Sequence, residues 1–180
     1  VECELLDALS LKSEKASKFA SAAYLRVIKI PYLFGVIYAI GRLVSNLKIK
    51  SPVYYINRSY RQRLHDYIND GAFDAIITTH LFPAESLTSL KREKGLTALT
   101  IGVNTDYTCI PFWEETELDY YIIPHKDLID EFAARGIPRN KLLPYGIPVR
   151  PEFYTRLTKQ EARKKLCSLC NTRFDYSKPL

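Results

Sequence analysis

Between positions 74 and 148 the chain repeats one pattern, a short apolar run that stops abruptly in proline, aromatic or hydrogen-bonding residues. The runs are Ala75-Ile76-Ile77, Ala98-Leu99-Thr100-Ile101, Tyr120-Tyr121-Ile122-Ile123 and Leu142-Leu143. They end in Thr78-Thr79-His80, Asn104-Thr105-Asp106, Pro124-His125 and Tyr145-Gly146-Ile147-Pro148, respectively. Runs this short, rich in Ile and Tyr and separated by helix-length polar segments, read as buried parallel strands. The intervening segments predict a helix over 83–95, opened by Pro83 and stopped by Gly95, and another that turns Leu128, Ile129 and Phe132 inward and stops at Gly136. This βαβαβ succession predicts right-handed crossovers and an α/β fold, a Rossmann-like parallel sheet with flanking helices. The ligand crevice of such a sheet lies beyond the carboxyl ends of its strands, so the run ends are where chemistry is expected.

Outside this region the pattern is less regular. Val1, Cys3 and Leu5 alternate with Glu2 and Glu4, which predicts a short strand over 1–9. Positions 30–41 are apolar between Lys29 and Arg42, well short of the roughly 20 residues that span a bilayer. Pro31 is placed to open a helix there with almost no polar face, either buried or dipping into an interface. A helix over 53–68 puts Val53, Ile56, Tyr60 and Leu64 on one face and Arg58, Arg61 and His65 on another. A last amphipathic helix, over 158–169, reads as a connector. The expected division is a domain over 1–150 and a linker with the start of a second domain over 151–180.

With 180 residues, 47% of them hydrophobic, the chain can bury a sizeable core. It contains no methionine, so Val1 is not a translational start and the chain is expected to be a piece of a longer protein. The net charge of +6 matters less than its placement. Positions 15–65 carry Lys15, Lys18, Arg26, Lys29, Arg42, Lys48, Lys50, Arg58, Arg61 and Arg63 with no Asp or Glu. Such a flank fits an anionic membrane surface or a nucleic acid, or is simply a solubilising face. Four cysteines do not frame a disulfide scaffold at this length and fit a reducing compartment. Cys167-Ser168-Leu169-Cys170 has half of a zinc-ribbon spacing without a second pair, so no metal site is expected. The absence of G-x-G-x-x-G, P-loop and G-x-S-x-G patterns leaves no recognisable dinucleotide, triphosphate or esterase site.

Three run ends carry candidate chemistry. His80 either binds an anionic group or relays a proton, or else caps the helix that follows. Asp106 either accepts a proton from a hydroxyl or orients a histidine, or else closes an Asx turn. The loop containing Tyr107 and Ile110-Pro111-Phe112-Trp113 offers aromatic rings for a sugar or a lipid interface, or packs on its own domain.

Taken in order, Phe73-Asp74-Ala75-Ile76-Ile77-Thr78-Thr79-His80, Val103-Asn104-Thr105-Asp106 with Trp113 downstream, Asp119-Tyr120-Tyr121-Ile122-Ile123-Pro124, Gly136-Ile137-Pro138 and Tyr145-Gly146-Ile147-Pro148-Val149 with Phe153 resemble the amino-terminal half of the diacylglycerol glycosyltransferases. These are the monogalactosyldiacylglycerol synthases and processive diacylglycerol glucosyltransferases of glycosyltransferase family 28. The resemblance implies the amino-terminal, acceptor-binding half of a GT-B fold and transfer of a hexose from a UDP-sugar to diacylglycerol. It implies a peripheral enzyme on the cytoplasmic face, bound to anionic lipid, with no cofactor, no metal and no nucleic acid. It points to Asp106 and His80 as catalytic candidates, and to Trp113, Tyr107, Phe112, Arg58 and Arg61 for acceptor and lipid. Gly146 and Pro148 would form the interdomain hinge. The family's Gly-Gly-Gly-His loop, whose histidine is its leading candidate for the catalytic base, and its UDP-sugar-binding carboxyl-terminal domain have no counterpart in these residues, so the chain is expected to be inactive alone. Two other readings stay open: a transferase acting on a polyprenyl-linked cell-wall precursor, and a basic nucleic-acid-binding module with stacking platforms in 54–63.

Overall fold

Side chains of alternate pleat direction decide where the core of this chain sits. The computed structural model describes residues 2–30, 60–154 and 156–170, together with Tyr32, Gly35, Val36 and Ala39. Four strands, β1 (Ala75–Thr78), β2 (Leu99–Val103), β3 (Tyr120–Ile122) and β4 (Leu142–Leu143), pair in parallel in the order of the sequence. Thr78 lies opposite Gly102, Gly102 opposite Tyr121, and Tyr121 opposite Leu142. This row faces inward and is buried, with Thr100 one pleat below it on β2. The opposite face carries Ile77, Leu99 and Tyr120, of which Ile77 is 65% exposed. Val103 on this face is buried, so burial on both faces, expected of a parallel sheet, is complete for one face and partial for the other among the described residues.

The buried face is covered by α3 (Leu81–Lys94), on which α2 (Arg61–Asp70) packs in turn. Residues 84–90 of α3 are all buried, which places polar side chains in the interior, and they are met by partners. The Ser86 hydroxyl donates to Tyr60 Oη at 2.9 Å, and Thr88 Oγ1 accepts from the Glu117 amide at 2.8 Å. Ser89 Oγ accepts from the Arg61 guanidinium at 2.6 Å. A buried hydroxyl without such a partner costs about 1–3 kcal/mol, so these bonds fix how α3 sits as well as satisfying it.

Helix α1 (Glu14–Ile28) precedes this body and α4 (Ile129–Ala134) follows β3. The strand expected over 1–9 does not form: residues 2–7 have no regular structure, and Asp7 caps a 3-10 turn, Ala8–Leu11, by accepting the Leu9 amide at 3.0 Å. The alternation of Glu2, Cys3, Glu4 and Leu5 finds no partner strand there, whereas Asp7 finds an amide immediately. The helix expected over 30–41 and the first part of that over 53–68 lie largely outside the described residues. The chain divides into two compact units, Val1–Ile147 and Pro148–Leu180. The second unit contains a 3-10 turn at Pro151–Phe153 and helix α5 (Lys159–Cys170).

Candidate active site

The carboxyl edge of the sheet collects the ends of β1, β2 and β3 side by side. With neighbouring strands about 4.8 Å apart, the tips of β1 and β3 stand about 10 Å apart across the tip of β2. His80 leaves β1, Asp106 leaves β2 and His125 leaves β3. The sheet thus brings Asp106 and His80 to one edge, and adds His125, which the sequence reading did not single out.

His80 is the N-cap of α3. Its extended backbone aims Nδ1 at the Phe82 amide, which donates to it at 3.3 Å, while its own amide donates to Thr78 Oγ1 at 3.2 Å. The capping alternative is therefore realised, and the acceptor role requires a neutral ring. Desolvation acts in the same direction, pulling the imidazolium pKa below its ordinary value. Nε2 then carries the proton and is left free to donate to a ligand. His125 repeats the geometry: its Nδ1 accepts the Asp127 amide at 3.3 Å.

Asp106 follows a buried Asn104, whose amide donates to Ile122 O at 2.8 Å and so ties the end of β2 to β3. Asp106 itself is exposed, and no group among the described residues hydrogen-bonds its carboxylate; the Asx-turn alternative is not formed. Tyr107 beside it is 70% exposed. Two residues on, the chain is buried again at Cys109, and both Thr108 and Cys109 are held from α4. Glu131 Oε1 accepts the Thr108 hydroxyl at 2.6 Å and the Cys109 amide at 2.8 Å.

Trp113 does not stand at the edge. It is 2% exposed, wedged onto β2 where Gly102 lacks a side chain, with its ring edge-on to Tyr121 at 6.2 Å between centroids. The ring expected to touch sugar or lipid is thus a core residue, because Gly102 opens a slot in the buried face that only a flat ring fills. Phe112 is half-buried against the same core and adopts φ +75°, a left-handed conformation rare for a bulky residue. Such backbone costs about 1–3 kcal/mol and is held here by the Trp113 packing and by the Arg135–Glu114 ion pair at 2.9 Å. Of the cations assigned to lipid, Arg58 lies outside the described residues. Arg61 is turned inward, bonded to Ser89 and to Glu93 at 2.7 Å, and Arg63 donates to the carbonyls of Leu11 and Lys12.

Gly146 continues the edge after β4. Its amide donates to Ile123 O at 3.2 Å and its φ of +90° suits glycine alone. Pro148 opens the second unit. A cavity of about 540 Å³ lies at the opposite, amino-terminal edge, lined by Lys91, Arg92, Glu117 and Lys141. Its cations are already engaged: Arg92 forks onto Glu117, Lys91 pairs with Asp119, and Lys141 Nζ donates to Leu118 O. Among the described residues no group of three or more His, Cys, Asp or Glu side chains comes together as metal ligands would, and no helix is long and apolar enough to cross a membrane.

In open Rossmann-like α/β sheets the carboxyl ends of the strands are where ligands generally bind. Residues 2–149 match the family described as monogalactosyldiacylglycerol (MGDG) synthase. The chain belongs to this family, whose fold is GT-B. It is 27% identical over 154 residues to an uncharacterized glycosyltransferase of Bacillus subtilis, YkoN, covering 83% of the chain and 40% of the relative. It is 28% identical over 93 residues to a processive diacylglycerol beta-glucosyltransferase of Bacillus cytotoxicus, covering 52% of the chain and 24% of the relative. A Bacillus cereus enzyme of the same description is 27% identical over the same length. The chain thus spans less than half the length of these relatives. No solved structure matches it.

Proposed function

We propose that the protein carrying this chain transfers a hexose from a UDP-sugar to diacylglycerol on the cytoplasmic face of a membrane, and that this chain is the acceptor-binding part. The observation that carries the reading is the β2 tip: an exposed Asp106, without a hydrogen-bond partner among the described residues, beside an exposed Tyr107, presented at the carboxyl edge in a chain that belongs to a glycolipid synthase family. In this reading the Asp106 carboxylate accepts the free hydroxyl of diacylglycerol in a charge-assisted hydrogen bond. Tyr107 covers the glycerol, and His80 Nε2 donates to an oxygen of the acceptor or donor. The UDP-sugar is a substrate held chiefly by a further domain, with movement about Gly146 and Pro148, and the reaction takes no cofactor or metal from this chain.

Membrane contact rests on α1. At 100° per residue, Lys15, Lys18, Phe19, Leu25 and Arg26 fall within a roughly 120° arc of that helix. Phe19 is 76% exposed and Leu25 54% exposed, and the cations are exposed beside them. Ser17, Ala23 and Val27 on the other side are half-buried. The exposed Leu25 and Phe19 thus flank the three cations on one face, with Lys18 also within 3.9 Å of Glu14; a helix face that mixes apolar side chains and cations can lie on an interface, where each cation near an anionic surface contributes about 1 kcal/mol. The inward turn of Arg61, and the bonds of the exposed Arg63 to the Leu11 and Lys12 carbonyls, engage two cations of the stacking platform that a nucleic-acid reading needs.

The test is incubation of the full-length protein with UDP-glucose or UDP-galactose and vesicles containing diacylglycerol and anionic lipid. Sugar transfer to diacylglycerol is expected, and Asp106→Asn should lower it with little change in vesicle flotation. Absence of transfer to diacylglycerol from either donor refutes the reading.

A further inference from the structure

Asp106 and Tyr107 occupy an exposed loop, yet a group that orients a substrate hydroxyl has to be held in place. The chain on their amino side is pinned by Asn104, buried and bonded to β3. On their carboxyl side the only hold on Thr108 and Cys109 among the described hydrogen bonds is Glu131, more than 20 residues away on α4. Both donors converge on the same oxygen, Oε1. The carboxylate makes the bonds charge-assisted and about twice as strong as neutral ones, and it reaches across to the loop instead of pairing with a cation. Phe112 is held in its left-handed conformation three residues beyond Cys109, so slack at Cys109 cannot be taken up by a relaxed turn downstream.

We propose that Glu131 is a positioning residue for the acceptor site, a clamp from α4 that fixes the Asp106–Tyr107 tip over the carboxyl edge. This rests on the reading of Asp106 and Tyr107 as acceptor-contacting residues. Glu131 does not itself touch substrate. Loss of the clamp frees the tip by an ångström or so, and misplacement on that scale costs up to about 100-fold in rate.

The experiment uses the full-length protein with Glu131→Ala, Glu131→Gln and Asp106→Asn, assayed for transfer to diacylglycerol. Glu131→Ala should lower kcat/KM for diacylglycerol about ten- to hundredfold while KM for the UDP-sugar and the melting temperature stay near those of the parent. It should also speed amide exchange at 105–109. Glu131→Gln keeps Oε1 and with it both bonds, and should restore most of the activity and protection. If Asp106→Asn lowers turnover and Glu131→Ala does not, the clamp is overturned and the site reading stands. If Asp106→Asn changes nothing, the site reading fails and the clamp has nothing to position. Loss in Glu131→Ala that falls equally on both substrates with a collapsed melting temperature, or that Glu131→Gln does not rescue, also overturns the proposal.

Discussion

Replacing Gly102 by Ala tests whether the candidate loop is built on the β2 slot. A Cβ at position 102 would lie 2.9 Å from Leu118 Cδ1 and from Trp113 Cζ3, and 3.3 Å from Trp113 Cη2. Carbon atoms prefer about 3.5–4.0 Å, so the indole has to retreat by about 0.6 Å or more. Trp113 is 2% exposed and has little room to do so. Overpacking of this kind costs about 1–3 kcal/mol, a roughly 5- to 140-fold loss in the folding equilibrium at 1.4 kcal/mol per tenfold. With a urea slope of about 2 kcal/mol per molar, the midpoint should fall by about 0.5–1.5 M. Trp113 is the single tryptophan of the chain, so its fluorescence reads both the midpoint and the displacement of the ring, which should shift the native emission to longer wavelength. Combining Gly102→Ala with Trp113→Phe, followed by circular dichroism, should show non-additivity, because the smaller ring vacates the space the methyl needs. An unchanged midpoint with unchanged emission would show that the indole does not rest on Gly102, and that the loop is anchored elsewhere.

Arg61→Ala should destabilise the fold by about 1–3 kcal/mol through loss of the bonds to Ser89 and Glu93, while flotation on anionic vesicles stays at the parent level; Lys15→Glu with Lys18→Glu should reverse that outcome. Burial pushes the Cys109 thiol up to about 12, so at pH 8 a maleimide should label the exposed Cys3 and spare Cys109 until urea is added, as read by mass spectrometry. Labelling of Cys109 at the rate of Cys3 would contradict its burial. Burial opposes ionisation of Asp119, but hydrogen bonds from Lys91 and from the Thr100 amide and hydroxyl outweigh it and hold the carboxyl below its ordinary range. A lowered folded pKa contributes stability above the unfolded value of about 3.9 that is lost as pH falls through the folded one. Asp119→Asn should therefore cost most near neutral pH and little in strong acid; a gap that stays constant to pH 2 would rule this out.

The four strands were legible because each is a short run of mostly apolar residues bounded by turn-forming ones, and a run of that kind is written locally. The amino edge of α3 was less so: Pro83 marks a helix start, but His80 does the capping, and histidine is an uncommon cap. Trp113 was read as a contact residue because it sits in a loop. Its burial depends on Gly102, a neighbour on the sheet that shares no periodicity with it. Arg61 lay in a run of unopposed cations, and its partners Ser89 and Glu93 come from the next helix. Glu131 carries no local mark, since it belongs to a short acidic helix turn and gains its role from a loop 22 and 23 residues back. Interactions that close long loops leave the pattern of neither end altered.

Helix α3 is gripped by hydrogen bonds at Ser86, Thr88 and Ser89, from two other segments of the chain, the start of α2 at Tyr60 and Arg61 and the loop at Glu117. A helix seated by aliphatic side chains alone can rotate a few degrees or creep along its axis at little cost; this one is keyed like a tumbler lock. Because α3 begins directly after His80, its angular setting dictates the bearing of that imidazole from about 9–13 Å away, at 1.5 Å per residue. Redesign of the helix interior, even to well-fitting hydrocarbons, would be transmitted along the rod and felt first at its open end.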